Sequence, residues 1–190
     1  MGVYSDTDEY PSPISPSRLF KALVVDAHNL IPKLLPNSVK SIEIIQGDGG
    51  AGSIKQFNFH HICWYKGFGY SKVSLNEVIS VADEEKKLLI RRNQVKNIKN
   101  RIDEIDEETL TYNYTLIEGE ALKDKFASIA HEIKFEAAPD GGSISKVTSK
   151  YYLKGDVEIN EEDIKASKEI VLGIYKVVEA YLLQNPDVYA

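Results

Sequence analysis

Residues 160–186 carry one long apolar stripe that has to be covered by something else in the chain. Asn160 can cap, acids fill the first turn, and Ile164, Ile170, Val171, Ile174, Val177, Val178, Tyr181 and Leu182 recur at helical spacing until Asn185-Pro186 ends the run. The chain before it has a different period. Over residues 109–117, Leu110, Tyr112, Tyr114 and Leu116 share one face and Thr109, Thr111, Asn113 and Thr115 the other, which predicts a half-buried strand. Residues 128–137 repeat the pattern with Ile129, His131, Ile133 and Phe135, and Asp140-Gly141-Gly142-Ser143 turns the chain into a further strand over 144–153. The inner face of that sheet is the large apolar partner open to the helix. The expected class is α+β, a curved antiparallel sheet around a long C-terminal helix, in a single domain over residues 1–190.

Upstream, Pro11, Pro13 and Pro16 break the chain, Ser17 can cap a short helix, and Leu19, Phe20, Leu23 and Val24 follow at helical spacing until Asp26. Residues 29–35 form a second helix kept short by Pro32 and Pro36. Residues 39–46 read as a strand, Gly47, Gly49, Gly50 and Gly52 break it, and 53–59 read as the next strand.

Composition narrows the function. The 190 residues hold 23 Lys+Arg against 29 Asp+Glu, a net charge of −6 that disfavours sequence-blind nucleic-acid binding. One cysteine permits no internal disulfide, and no apolar run approaches membrane length. A cytoplasmic or nuclear monomer without membrane or nucleic-acid partners is expected. Eleven tyrosines suit walls that are apolar yet carry hydroxyls.

The motifs support little catalysis. Gly47-x-Gly49-x-x-Gly52 matches a dinucleotide fingerprint in spacing, but a strand follows where that motif needs a helix, leaving a tight turn or an anion cradle. His60, His61 and Cys63 lack the further ligands of a zinc site, so neither metal nor cofactor is expected. His131 stands alone on an apolar strand face, as a satisfied interior histidine, a proton-transfer group or, between the two, a polar group lining a ligand cavity.

Ordered motifs then become specific. They include Arg18-Leu19-Phe20-Lys21-Ala22, Asn29-Leu30-Ile31-Pro32-Lys33, the run from Gly47 through Ser53-Ile54-Lys55, Tyr112-Asn113-Tyr114-Thr115-Leu116-Ile117-Glu118-Gly119, and Lys165-Ala166-Ser167-Lys168-Glu169. Over residues 1–59 and about 97–190 the chain resembles the plant pathogenesis-related class ten proteins, the family of the major birch pollen allergen. The resemblance implies the helix-grip, START-like fold: a seven-stranded antiparallel sheet, two short helices and a long C-terminal helix around a large cavity. It also implies defence-related cytosolic proteins that bind flavonoids, cytokinins or other hormones. Carried onto this sequence, the implied wall is Leu23, Val24, Val39, Phe57, Phe59, Tyr112, Tyr114, His131, Ile133, Ile170 and Ile174.

Ribonuclease activity has been ascribed to some relatives. Lys55, Glu179 and Tyr181 match the implied positions, but Ala127 replaces a glutamate, which removes one carboxylate from any acid–base pair. A metabolite-condensing enzyme is the other enzymatic alternative; an abscisic-acid-type receptor acting on a phosphatase is a third, although the gate and latch motifs of that branch are absent. Residues 60–96 match no family pattern where a short connection is expected. They read either as a lid, with Trp64, Tyr65, Phe68 and Tyr70 as contacts, or as a gene-model or intron addition.

Overall fold

The computed structural model describes residues 2–59, 97–119, 122, 125–155, 157, 159 and 161–190, apart from the side chains of 161–163, 166, 167 and 170. The segment 60–96, with His60, His61, Cys63 and the aromatic residues assigned to a lid, lies outside the described residues, as does Asn160.

Seven strands form one antiparallel sheet: β1 (Val3–Ser12), β2 (Val39–Gln46), β3 (Ile54–Phe59), β4 (Asn97–Asp106), β5 (Thr111–Glu118), β6 (Phe126–Ala137) and β7 (Ser143–Leu153). Their order is β1-β7-β6-β5-β4-β3-β2, so β1 and β2 are the edges. Register shifts interrupt β2 against β3, β4 against β5 and β6 against β7. Each bulge adds local twist and curves the sheet toward its inner face. Period two is clearest in β7, where Ser143, Ser145, Val147, Ser149 and Tyr151 are buried and their neighbours are not. Strand β1 has no hydrophobic alternation to reveal it: Tyr4, Asp6, Asp8 and Tyr10 alternate with Ser5, Thr7 and Glu9. Its ten residues pair along β7, from Val3 with Tyr152 to Ser12 with Ser143.

Helix α1 (Pro16–Phe20) starts two residues earlier than the expected Ser17 cap implies, with Ser15 at the N-cap and Pro16 at the first helical position, where its missing N–H costs nothing. A π-helical turn (Lys21–Val25) follows, then α2 (Ala27–Leu34), which contains Pro32. Helix α3 (Glu161–Gln184) runs along the inner side of the sheet.

Three apolar clusters hold these parts together. The first joins Leu19, Phe20, Ile102, Tyr112 and Phe135 to Tyr175, Val178 and Leu182 of α3. A second gathers Leu116, Phe126, Ile129 and Tyr151 around Ile164 near the other end of α3. The third packs Ala27, Ile31 and Leu35 on Val39 and Ile42. The C-terminal end of α3 is fixed by Arg18, whose Nε donates to Val188 O at 3.0 Å and whose Nη2 donates to Leu182 O at 3.2 Å and Asn185 O at 2.9 Å. Leu182 O is one of the carbonyls that a helix end leaves without an intrahelical partner, and Asn185 O and Val188 O follow in the segment after it.

Candidate ligand-binding site

The period-two faces of β5 and β6 meet across the sheet, with Tyr112 opposite Ile133 and Tyr114 opposite His131. The Tyr112 and Tyr114 ring centroids are 5.3 Å apart, and those of Tyr114 and His131 are 4.9 Å apart. Tyr114, His131 and Ile133 line an inner pocket of about 20 Å³ together with Asp8 and Tyr10 of β1, Val147, Ser149 and Tyr151 of β7, and Lys168 and Val171 of α3. That volume holds about one water molecule. This pocket is far smaller than the cavity the resemblance implies, because tyrosine rings and the Lys168 side chain converge on it.

The polar groups here are tuned by burial. His131 Nδ1 lies 2.9 Å from Ser149 Oγ, and burial pushes the ring's pKa down to about 4, so it is neutral at neutral pH. The same cause raises the Tyr112 and Tyr114 phenols, which remain protonated donors. Lys55, on β3, is 7% exposed, and its Nζ stands 5.4 Å from the centre of the Tyr112 ring. Loss of water lowers its pKa. Neither Lys55 Nζ nor the Tyr112 hydroxyl has a hydrogen-bond partner among the described residues, although Tyr112 is only 6% exposed.

A buried cation without a carboxylate is an uncompensated cost, and the ring face returns only part of it. Lys55→Met, which keeps the stem and removes the charge, is therefore expected to stabilise the ligand-free protein by about 1–2 kcal/mol. Urea unfolding of the two proteins measures this; a less stable variant would show that the ammonium is satisfied.

The other expected wall residues divide between clusters. Leu23 and Val24 sit on the π-helical turn against the first cluster. Val39, Phe57, Phe59 and Ile174 belong to the third, beside α2. Ile170 lies in α3, and its side chain is outside the described residues.

The residues expected for ribonuclease chemistry are engaged separately. Glu179 Oε1 accepts from Lys176 Nζ at 2.8 Å while Oε2 is buried without a partner among the described residues, and Lys33 stands 5.7 Å over the Tyr181 ring. No hydrogen bond joins Lys55, Glu179 and Tyr181 among the described residues, and Ala127 is exposed on β6. The glycine loop joins β2 to β3, with Gly47, Gly49 and Gly52 at φ of 89°, 99° and 86°. Three of its amides are already used: Gly49 N donates to Ser53 Oγ, Gly50 N to Asp48 Oδ1 and Gly52 N to Ile102 O. The turn reading of this loop accounts for its glycines, and these amides do not form an open anion cradle.

Sequence reasoning missed Asp6, Asp8, Tyr10, Ser149, Tyr151 and Lys168. The signal available was the alternation of Tyr4, Asp6, Asp8 and Tyr10, which becomes legible once β1 is known to pair with β7.

A seven-stranded curved sheet gripping a long helix, with an inner face of tyrosines, histidine and aliphatic residues, defines a helix-grip protein of the ligand-binding class. The model of the pathogenesis-related protein Bet v 1 family matches residues 1–92 and 88–185. The chain is 47% identical over 189 residues to the major allergen Pru ar 1 of Prunus armeniaca and 44% identical to the major strawberry allergen Fra a 1.07 of Fragaria ananassa, covering 100% of this chain and 99% of each relative. Among solved structures, Ara h 8.0201 superposes with a TM-score of 0.73 at 32% identity, covering 96% of this chain and 99% of that one. Norcoclaurine synthase from Thalictrum flavum, in complex with dopamine and hydroxybenzaldehyde, shares the fold at a TM-score of 0.60 and 16% identity, over 96% of this chain and 88% of that one. The chain belongs to the Bet v 1 family of pathogenesis-related proteins.

Proposed function

We propose that this protein binds small amphipathic plant metabolites, of the flavonoid, cytokinin or related hormone type, between sheet and helix, and acts as a defence-related carrier or store. The observation that carries this reading is the pair Lys55 and the Tyr112 hydroxyl, two polar groups on mostly buried residues that have no hydrogen-bond partner among the described residues. A ligand that presents oxygen acceptors to both makes hydrogen bonds that no described side chain supplies, while burial of its rings contributes roughly 25 cal/mol per Å². Tyr114, His131 and Ile133 would form the neighbouring wall.

Displacement of a fluorescent apolar probe by a flavonoid and by a cytokinin tests the proposal. Tyr112→Phe and Lys55→Met are each expected to weaken the better competitor about tenfold, one lost hydrogen bond to a buried donor being worth about 1–2 kcal/mol. Unchanged affinity in both variants would sink the assignment. Mass spectrometry of small molecules that co-purify with the folded protein identifies the compound.

A further inference from the structure

Strands β3, β4 and β5 bring three buried polar side chains together. Lys55 of β3 lies directly across from Asn100 of β4, and Asn100 in turn across from Leu116 of β5. Lys55 and Asn100 are 7% and 5% exposed. Tyr112 of β5 completes the set, with the centre of its ring 5.4 Å from Lys55 Nζ. Asn100 Oδ1 is buried with no hydrogen-bond partner among the described residues. An amine, a phenol and an amide oxygen therefore share one region of the sheet, each with hydrogen-bonding capacity that no described residue uses.

Lys55 differs chemically from the lysines on the sheet surface. Lys146 and Lys150 donate to Glu136 and Glu132, which raises their pKa and keeps the nitrogen an ammonium. Burial alone acts on Lys55, and it lowers the pKa, so the neutral amine is more abundant there than on a solvated lysine. Only the neutral form has the lone pair of a nucleophile. Burial also favours what such an amine makes: a neutral imine in place of an ammonium removes an unpaired cation from the interior. The Tyr112 ring, with the Tyr114 ring 5.3 Å from it, offers a flat apolar surface beside the nitrogen.

We infer that Lys55 captures aromatic aldehydes covalently and reversibly as an imine, with Tyr112 and Asn100 holding the reacting oxygen. This deepens the ligand-binding reading above and rests on it. The Lys55 lone pair attacks the carbonyl carbon and forms the C–N bond, while the carbonyl π pair moves to the oxygen, to which the Tyr112 hydroxyl donates a hydrogen bond. One amine proton passes to that oxygen and gives a neutral carbinolamine, whose hydroxyl donates to Asn100 Oδ1. The C–O bond then breaks, the second amine proton leaves with the oxygen, and the products are the imine and one water molecule. Nothing is oxidised or reduced, and water reverses the reaction.

Incubation of the full chain at pH 7 with 6-methoxy-2-naphthaldehyde, trapping with sodium cyanoborohydride and peptide mass spectrometry test the inference. The expected result is one reduced adduct per chain, on Lys55, formed about tenfold faster than on any other lysine. Lys55→Arg should lose that adduct and keep the slow labelling of the rest. Tyr112→Phe should slow labelling of Lys55 about tenfold, through the lost hydrogen bond to the reacting oxygen. Labelling spread over other lysines at the same rates in the parent and in Lys55→Arg would overturn the imine; if Lys55→Arg does not fold, an unlabelled Lys55 peptide in the parent does so. Displacement of a fluorescent apolar probe by the aldehyde with no adduct on Lys55 overturns the imine alone. Failure of the aldehyde, a flavonoid and a cytokinin all to displace the probe overturns the ligand-binding reading, and the imine with it.

Discussion

Replacement of Arg18 by methionine is expected to lower the thermal unfolding midpoint by roughly 10 °C. The guanidinium makes three hydrogen bonds to the carbonyls of Leu182, Asn185 and Val188, tying α1 to the end of α3. Methionine fills most of the volume but donates nothing. With a net loss of about 1 kcal/mol for each bond, the cost is about 3 kcal/mol, and a chain of this size loses roughly 2–4 °C per kcal/mol. Asn185 Nδ2 still donates to Tyr181 O and Tyr189 still bonds Asp26, so the last residues stay docked and the fold survives. Differential scanning calorimetry of the two proteins measures the difference. A shift under 2 °C would mean that water serves these carbonyls as well as Arg18 does.

The second large effect is a dependence on pH carried by His131. Burial holds its folded pKa at about 4, below the 6.5 of an ordinary solvated histidine, so the unfolded chain binds the extra proton first as pH falls. Stability is complete above pH 6.5, declines between 6.5 and about 4, and changes no further from this group once the folded form also titrates. At 1.36 kcal/mol per pH unit, the loss between pH 7 and 4.5 is about 2–3 kcal/mol. His131→Asn keeps a polar side chain opposite Ser149 and removes the titration. Denaturant unfolding at both pH values should show the parent losing about 2–3 kcal/mol more than the variant. Equal losses would place the acid sensitivity in the carboxylates alone.

Strands β2, β3, β5, β6 and β7 and the long helix were legible because each carries a local contrast between apolar and polar positions, whereas β4 was not read as a strand. Residues 39–46 form β2 with those bounds, and the face of Tyr112, Tyr114, His131 and Ile133 follows from period two in β5 and β6. Leu110 departs from that row: at φ 53° it belongs to the turn before β5. Strand β1 escaped because its inner positions are as polar as its outer ones, which leaves no contrast to read. The implied wall was legible as a list of types but not as one surface. Val39, Phe57, Phe59 and Ile174 pack beside α2, away from the pocket that Tyr114, His131 and Ile133 line.

Local periodicity is written in neighbouring residues, so the antiparallel strands, the glycine turn and the greasy stripe of α3 could be read without coordinates. Charge pairing is not local. Lys55 sits in an alternating strand and Lys168 in a charged stretch of helix, and both have the sequence surroundings of solvated lysines. The fold buries Lys55 over Tyr112 with no acid paired to it among the described residues, and it brings Lys168 to Asp8 across 160 residues because the sheet order sets β1 beside β7 and under α3. Whether a charge costs or contributes free energy depends on which distant groups share its loss of water, and that is a property of the assembled layers.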